Sequence, residues 1–185
     1  MPQLSTAIRN AMGNAIEATI GASPVLEYRT GLPPASPAAA STGTLLMSGT
    51  LAADWAPDAA NGVKSFNANM KADAAVAAGY AGHFRIKAAD GTYHMQGLVS
   101  EAWTASKPYV VGMQVNLGGN VYRATAAGTS AANGGPAGTG AAIVDNGVTW
   151  AYVGPQDMVL TNTNIALGQD GITLNSYQLT MPTGN

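Results

Sequence analysis

The chain has 185 residues, a formal net charge of -2 and no cysteine, and 46% of its residues are hydrophobic while only 10% are charged. That length holds one ordinary domain with at most a small appendage, and the lack of cysteine excludes disulfide frameworks, thiolate catalysis and Cys-type zinc sites. The eight basic residues are scattered, so no stripe can neutralise a run of phosphates and nucleic acid is not an expected partner.

Much of the hydrophobic fraction is alanine, and with 23 glycines and 10 prolines the composition points to a mainly β protein with long loops. The first twenty residues lack a basic start, and Arg9, Asn10, Asn14 and Glu17 interrupt their apolar run, so no export signal is expected. No window approaches the roughly 18 uninterrupted apolar residues of a membrane span. A soluble product made in the cytoplasm, with no membrane partner, is the expectation.

In chain order, Leu4, Ile8, Met12, Ile16 and Ile20 recur every four residues, and Ala7, Ala11, Ala15 and Ala18 widen the stripe. Arg9, Asn10, Gly13 and Glu17 fall opposite. This predicts an amphipathic helix with Ser5 as N-cap and Gly21 as its stop. Its stripe either covers an open face of the domain or docks on a partner subunit through Leu4, Ile8, Met12 and Ile16.

"PVLEYRTG" and "TLLMSGTL" read as strands, separated by the proline-rich "LPPASPAAASTG", which is too rich in proline to pair in a sheet and is expected to be long and mobile. Asn61-Gly62 signals a turn before a third strand, "VKSFNANMKA". Asp54, Asp58 and Asp73 sit in loops, where Asp ordinarily supports turns.

"GHFRIKAADGTYHMQG" reads as a hairpin whose turn is Ala88 to Gly91. Lys87 then pairs with Thr92, Ile86 with Tyr93 and Arg85 with His94. Phe84, Ile86, Tyr93 and Met95 share one face, and His83, Arg85, Lys87, Thr92, His94 and Gln96 share a polar, exposed one. Beyond residue 155, short strands are expected around Val159, Ile165 and Ile172 to Met181, the last with a shift near Tyr177 and Leu179 that reads as a bulge or a strand buried on both sides. Six or more short strands joined by Gly, Asn and Pro loops favour a β-sandwich or jelly-roll body over residues 1–100 and 155–185.

Residues 101–154 read as an inserted small β module. The chain has three Trp, seven Tyr and two Phe, and five of these twelve fall in the insertion: Trp103, Tyr109, Tyr122, Trp150 and Tyr152. A unit of about 50 residues must concentrate its large side chains centrally, so a mini-core explains the enrichment. An aromatic platform that stacks on a sugar ring is the competing explanation.

No catalytic constellation is visible. His83 and His94 have neither a carboxylate pair nearby in sequence nor metal-motif spacing, the acidic residues are isolated, and no phosphate-binding glycine loop or nucleophile elbow occurs. The reading is a non-enzyme without metal or cofactor.

The ordered stretches "STAIRNAMGNAIEATIGASPVLEYRTGLPPA", "GTLLMSGTLAADW", "AGHFRIKAADGTYHMQG" and "SYQLTMP" resemble a family of small tailed-phage virion proteins. The resemblance covers residues 1–100 and 155–185. It implies a structural role on the virion, of the capsid cement or decoration type, with the major capsid protein as partner and a homo-oligomer on the particle. The segment "WTASKPYVVGMQVNLGGNVYRATAAGTS" with "DNGVTWAYVG" is similar to chitin-binding-type modules and phage tail repeats, with Trp103, Tyr109, Tyr122 and Trp150 at the aromatic positions. That similarity implies the alternative, a tail- or fibre-associated protein whose insertion binds a host surface glycan.

Overall fold

The computed structural model describes residues 3–67, 73–172 and 174–183. The protein is mainly β, with one helix, α1 (Thr6–Ile20), ahead of fifteen strands among the described residues. The body strands are β1 (Val25–Thr30), β2 (Leu45–Thr50), β3 (Val63–Ser65), β4 (Gly79–Lys87) and β5 (Tyr93–Ala102). The segment after β5 holds β6 (Pro108–Tyr109), β7 (Gln114–Leu117), β8 (Asn120–Ala126), β9 (Gly128–Thr129), β10 (Ile143–Asp145) and β11 (Val148–Pro155). The chain then returns as β12 (Met158–Leu160), β13 (Asn164–Ile165), β14 (Leu174–Ser176) and β15 (Gln178–Thr180). Of the third strand expected over residues 63–72, Val63–Ser65 forms, while 68–72 lie outside the described residues.

The main sheet runs β10-β11-β8-β7-β5-β4-β1-β2. In the body the strand pairs β2/β1, β1/β4 and β4/β5 are antiparallel. One face of this part carries Leu26, Tyr28, Met47, Phe84, Ile86 and Val99, all buried. Against it packs a second layer that includes Leu51, Trp55, Phe66, Leu160, Leu174 and Tyr177. This makes a sandwich-like core. An aromatic file crosses it, from Trp55 to Phe66 (5.2 Å between centroids), to Tyr177 (4.2 Å) and to Phe84 (5.0 Å).

Residues 101–154 hold a second cluster, built on buried Tyr109, Met113, Val115, Tyr122, Val148 and Trp150. Their strands extend the body sheet, because β7 pairs with the end of β5 in parallel, Glu101 opposite Val115 and Ala102 opposite Asn116. Two side chains reinforce the seam. Gln114 donates from Nε2 to the carbonyls of Gly82 (2.5 Å) and Val99 (2.6 Å). Buried Glu101 takes the Lys107 ammonium on Oε1 and the Thr163 N–H (2.9 Å) on Oε2. Returning to the body, β12 lies parallel beside β5, with Met158 opposite Val99.

The hairpin register differs from the one expected. Arg85 opposes Gln96, Ile86 opposes Met95, and a bulge after Ile86 brings Lys87 opposite Tyr93. An extra residue in the turn is the cause: Ala88 N–H donates to the Thr92 carbonyl, so the loop closes one residue later than a four-residue turn would. The bulge rolls Tyr93 out of the apolar face and into the polar one.

Candidate functional site

The helix forms as its local signals predict. Ser5 Oγ accepts the Ile8 N–H (3.3 Å), and Gly21, at φ 83, returns its N–H to the Glu17 carbonyl. Its orientation divides the apolar stripe: Ile16 and Ile20 pack on the body core, while Ile8 and Met12 face out. The polar side of the helix is seated on the body as well. Asn10 Oδ1 accepts the Gly62 N–H (2.7 Å), Asn14 Oδ1 accepts the Ala59 N–H (2.7 Å), and Arg9 Nε donates to the Met181 carbonyl (3.1 Å). Glu17 pairs with Lys64, whose ammonium is buried and also donates to the Ala56 carbonyl (3.0 Å).

Gly13 makes this approach geometrically possible, since a Cβ there would lie 2.8 Å from that of Ala59. The seat for Asn10 is the Asn61-Gly62 turn, with both residues at positive φ (53 and 76) as a tight two-residue turn requires.

Helix geometry explains the outward stripe. A four-residue step overshoots one turn by about 40°, so a strict i, i+4 row winds around a helix instead of staying on one face. Ile20, at one end of the row, is buried, and Ile16 is partly buried against the core. At the other end Ile8 is 50% exposed and Met12 38% exposed, while Leu4 is half-buried. Ala7, Ala11, Ala15 and Ala18 are exposed beside them, and both charged residues of the helix, Arg9 and Glu17, point inward. Next to the stripe lies a groove of about 370 Å³ between the helix, through Met12, Ala15, Ile16 and Thr19, and the hairpin, through His94 and Met95. Together they make a mainly apolar surface, open to solvent and lined by no Lys, Arg, Asp or Glu, on an element also held by its polar side.

The insertion's aromatics are placed by Asp145. Buried at the end of β10, its Oδ2 accepts the indole N–H of Trp103 (2.9 Å) and of Trp150 (3.1 Å), and its Oδ1 accepts the Ala131 N–H (2.9 Å). Trp150, Tyr109 and Tyr122 are 0%, 1% and 1% exposed, so none of the three presents a ring face to a sugar. Trp150 and Tyr109 meet edge to face at 5.0 Å. Trp103 and Tyr152 are partly buried against the same cluster. Asp145 carries no mark of this role in the sequence, being an isolated acid whose Trp103 partner lies 42 residues away.

Part of the hairpin's polar face is covered as well, which corrects the expected exposure of His83 and Arg85, though not that of Thr92 and His94, and the expected mobility of the proline-rich loop. Residues 31–43 lie over it as a strap held by side chains of the sheet. The buried Arg85 guanidinium donates to the carbonyls of Pro37 (2.5 Å) and Ala39 (3.1 Å) and to Ser41 Oγ, and stacks on Tyr93 at 3.7 Å. Gln96 donates to the Pro34 carbonyl (2.6 Å), and Arg29 to those of Thr42 (3.4 Å) and Gly43 (3.1 Å). Beneath them Glu27 accepts from Arg29, Lys87 and Tyr93, each at 2.9 Å. Burial pushes the Glu27 carboxyl up, but these three bonds outweigh it and hold the group below its ordinary range.

His83 is fully buried under the strap, with Nδ1 3.1 Å from the Gly31 carbonyl and Nε2 without a partner among the described residues. Burial lowers its pKa, and the nearby Arg29 and Arg85 charges lower it further, against the opposing Gly31 bond. The unfolded chain therefore takes up a proton at the ordinary value of 6.5 before the folded chain does. Stability is full above that value and falls as pH drops through it toward the folded pKa. Urea unfolding at pH 7.5 and pH 5.5 is expected to show a loss at the lower pH that His83→Asn, which keeps a donor for Gly31 but cannot charge, abolishes. An equal loss in both proteins would place the titrating group elsewhere.

Among the described residues no three His, Asp or Glu side chains gather as a metal site, and no helix is long and apolar enough to cross a membrane. No protein-family model, no curated protein and no solved structure matches the chain.

Proposed function

We propose that the chain is a structural virion subunit of a tailed phage, a capsid cement or decoration protein that clamps neighbouring major capsid proteins. The observation that carries this reading is the outward-facing first half of the helix's apolar row. Burying a polar face and exposing Ile8 and Met12 is the reverse of what a free monomer gains from an amphipathic helix, and it leaves an uncharged stripe for a neighbour to cover. Burial of that stripe, repeated over many copies, sums modest contacts by avidity. Shell binding then stabilises the subunit, and by reciprocity the subunit stabilises the assembled shell over dissociated capsomers.

The test is a heat challenge of purified heads with and without the protein. Slower DNA release from the decorated heads is expected. Equal rates would remove the cement role.

A further inference from the structure

A second groove, of about 290 Å³, lies between the insertion and the body, with Arg123, Val111 and Gly112 on one side and Tyr80, Gly79 and Thr30 on the other. Arg123 stands apart from the other cations. Arg29 and Lys87 pair with Glu27, Lys64 with Glu17 and Lys107 with Glu101, while Arg9 and Arg85 donate to backbone carbonyls. Among the described residues, Arg123 alone of the basic side chains has neither a carboxylate nor a hydrogen-bond acceptor. It is half-buried in the groove wall, fixed on β8 by pairing with Gln114 on one side and Ala151 on the other.

We propose that this groove binds an acidic sugar, its carboxylate on Arg123 and its ring against Tyr80 and Val111. A guanidinium presents parallel N–H donors that fit a carboxylate fork to fork, which makes a lone unpaired arginine in a cleft a carboxylate receptor before anything else. The rest of the lining selects what carries the carboxylate. Tyr80 on the facing wall and Val111 beside Arg123, the latter 56% exposed, give the groove apolar surface that a pyranose ring can cover. Glycines at 79 and 112 keep the backbone low, and the volume admits about one ring, below the usual size of a drug-like site. An Asp or Glu side chain would reach Arg123 but leave that apolar surface wet. The site does not depend on the buried aromatics, nor on the proposed head position.

The test is protein-observed NMR titration of the intact chain with glucuronate, glucose and acetate. Glucuronate is expected to shift resonances of Arg123, Tyr80 and Val111 in a saturable way, at least about tenfold more tightly than glucose, as a charge-assisted bond implies. Arg123→Gln is expected to remove that advantage, Arg123→Lys to retain part of it, and Val111→Asp to weaken binding by like charge while amide dispersion stays unchanged. Added salt should weaken it too. Absence of saturable shifts, equal affinity for glucose, or full affinity in Arg123→Gln would each overturn the proposal. Acetate binding as tightly as glucuronate would overturn the sugar assignment in favour of an acidic side chain of a protein partner.

Discussion

Trp150→Ala is expected to unfold the insertion, at a cost of about 3–5 kcal/mol for a large aromatic removed from a close-packed site. The side chain is fully buried, packs edge to face on Tyr109 and donates to Asp145. Its loss opens a cavity within the cluster that Tyr109, Met113, Val115, Tyr122 and Val148 build with it. Asp145→Ala acts from the other side, leaving the Trp150 indole N–H buried without an acceptor and freeing Trp103 and Ala131 as well. Each unsatisfied buried donor costs about 1–3 kcal/mol. Urea unfolding followed by Trp fluorescence and NMR reads both variants. A folded Trp150→Ala protein with native amide dispersion over residues 101–154 would mean that the cluster is held by something other than its aromatics.

The second large effect is at the helix seat. Glu17→Ala is expected to cost about 3 kcal/mol, the low end for breaking a buried ion pair, because Glu17 is itself 24% exposed while the Lys64 it leaves behind is 1% exposed. The Ala56 carbonyl remains as a partner, but a neutral acceptor does not replace the lost counter-charge. Replacing both partners, Glu17→Ala with Lys64→Met, is expected to recover most of the loss, since the cost lies in the orphaned ammonium and not in the missing contact. Ile8→Asp, on the opposite side, is expected to stay within about 0.5 kcal/mol of the parent. Its position in the first turn even favours an acid beside the helix N-terminus. Reversed ranks, with Ile8→Asp damaging and Glu17→Ala harmless, would mean that the Ile8 end of the stripe packs on the body as well.

Local signals in the sequence were legible. Ser5 and Gly21 cap the helix, Asn61-Gly62 makes its turn, and Val25–Thr30 and Leu45–Thr50 form as strands, because each depends on residues only a few positions apart. The helix's working face was harder to read, since a row of four-residue steps looks like one stripe on paper but winds from exposed Ile8 to buried Ile20 on the cylinder. The clue lay in the other row, Asn10, Gly13, Asn14 and Glu17, where two amides, a carboxylate and a missing side chain share one side. The hairpin's face was legible but its register was not. One bulge after Ile86 moves Tyr93 across the sheet, and nothing in the hairpin's alternation marks it.

The strap is illegible in the sequence for a different reason. Arg85 finds its acceptors at Pro37 and Ala39, 48 and 46 residues away, so a segment that looks disordered by composition is fixed by donors from another strand. The Arg123 groove is equally non-local, because its two walls, Gly79-Tyr80 and Val111-Gly112, meet only when the insertion joins the body sheet beside β5.

The most direct test of the outward helix as the docking element is co-sedimentation of the Ile8→Asp/Met12→Asp protein with purified heads. Both side chains are exposed, so the isolated variant should melt with the parent, and that curve serves as the control. Retention on heads should fall at least about tenfold, since each added carboxylate would have to be desolvated against an apolar partner surface. Unchanged retention by a normally folded variant would contradict docking through this face.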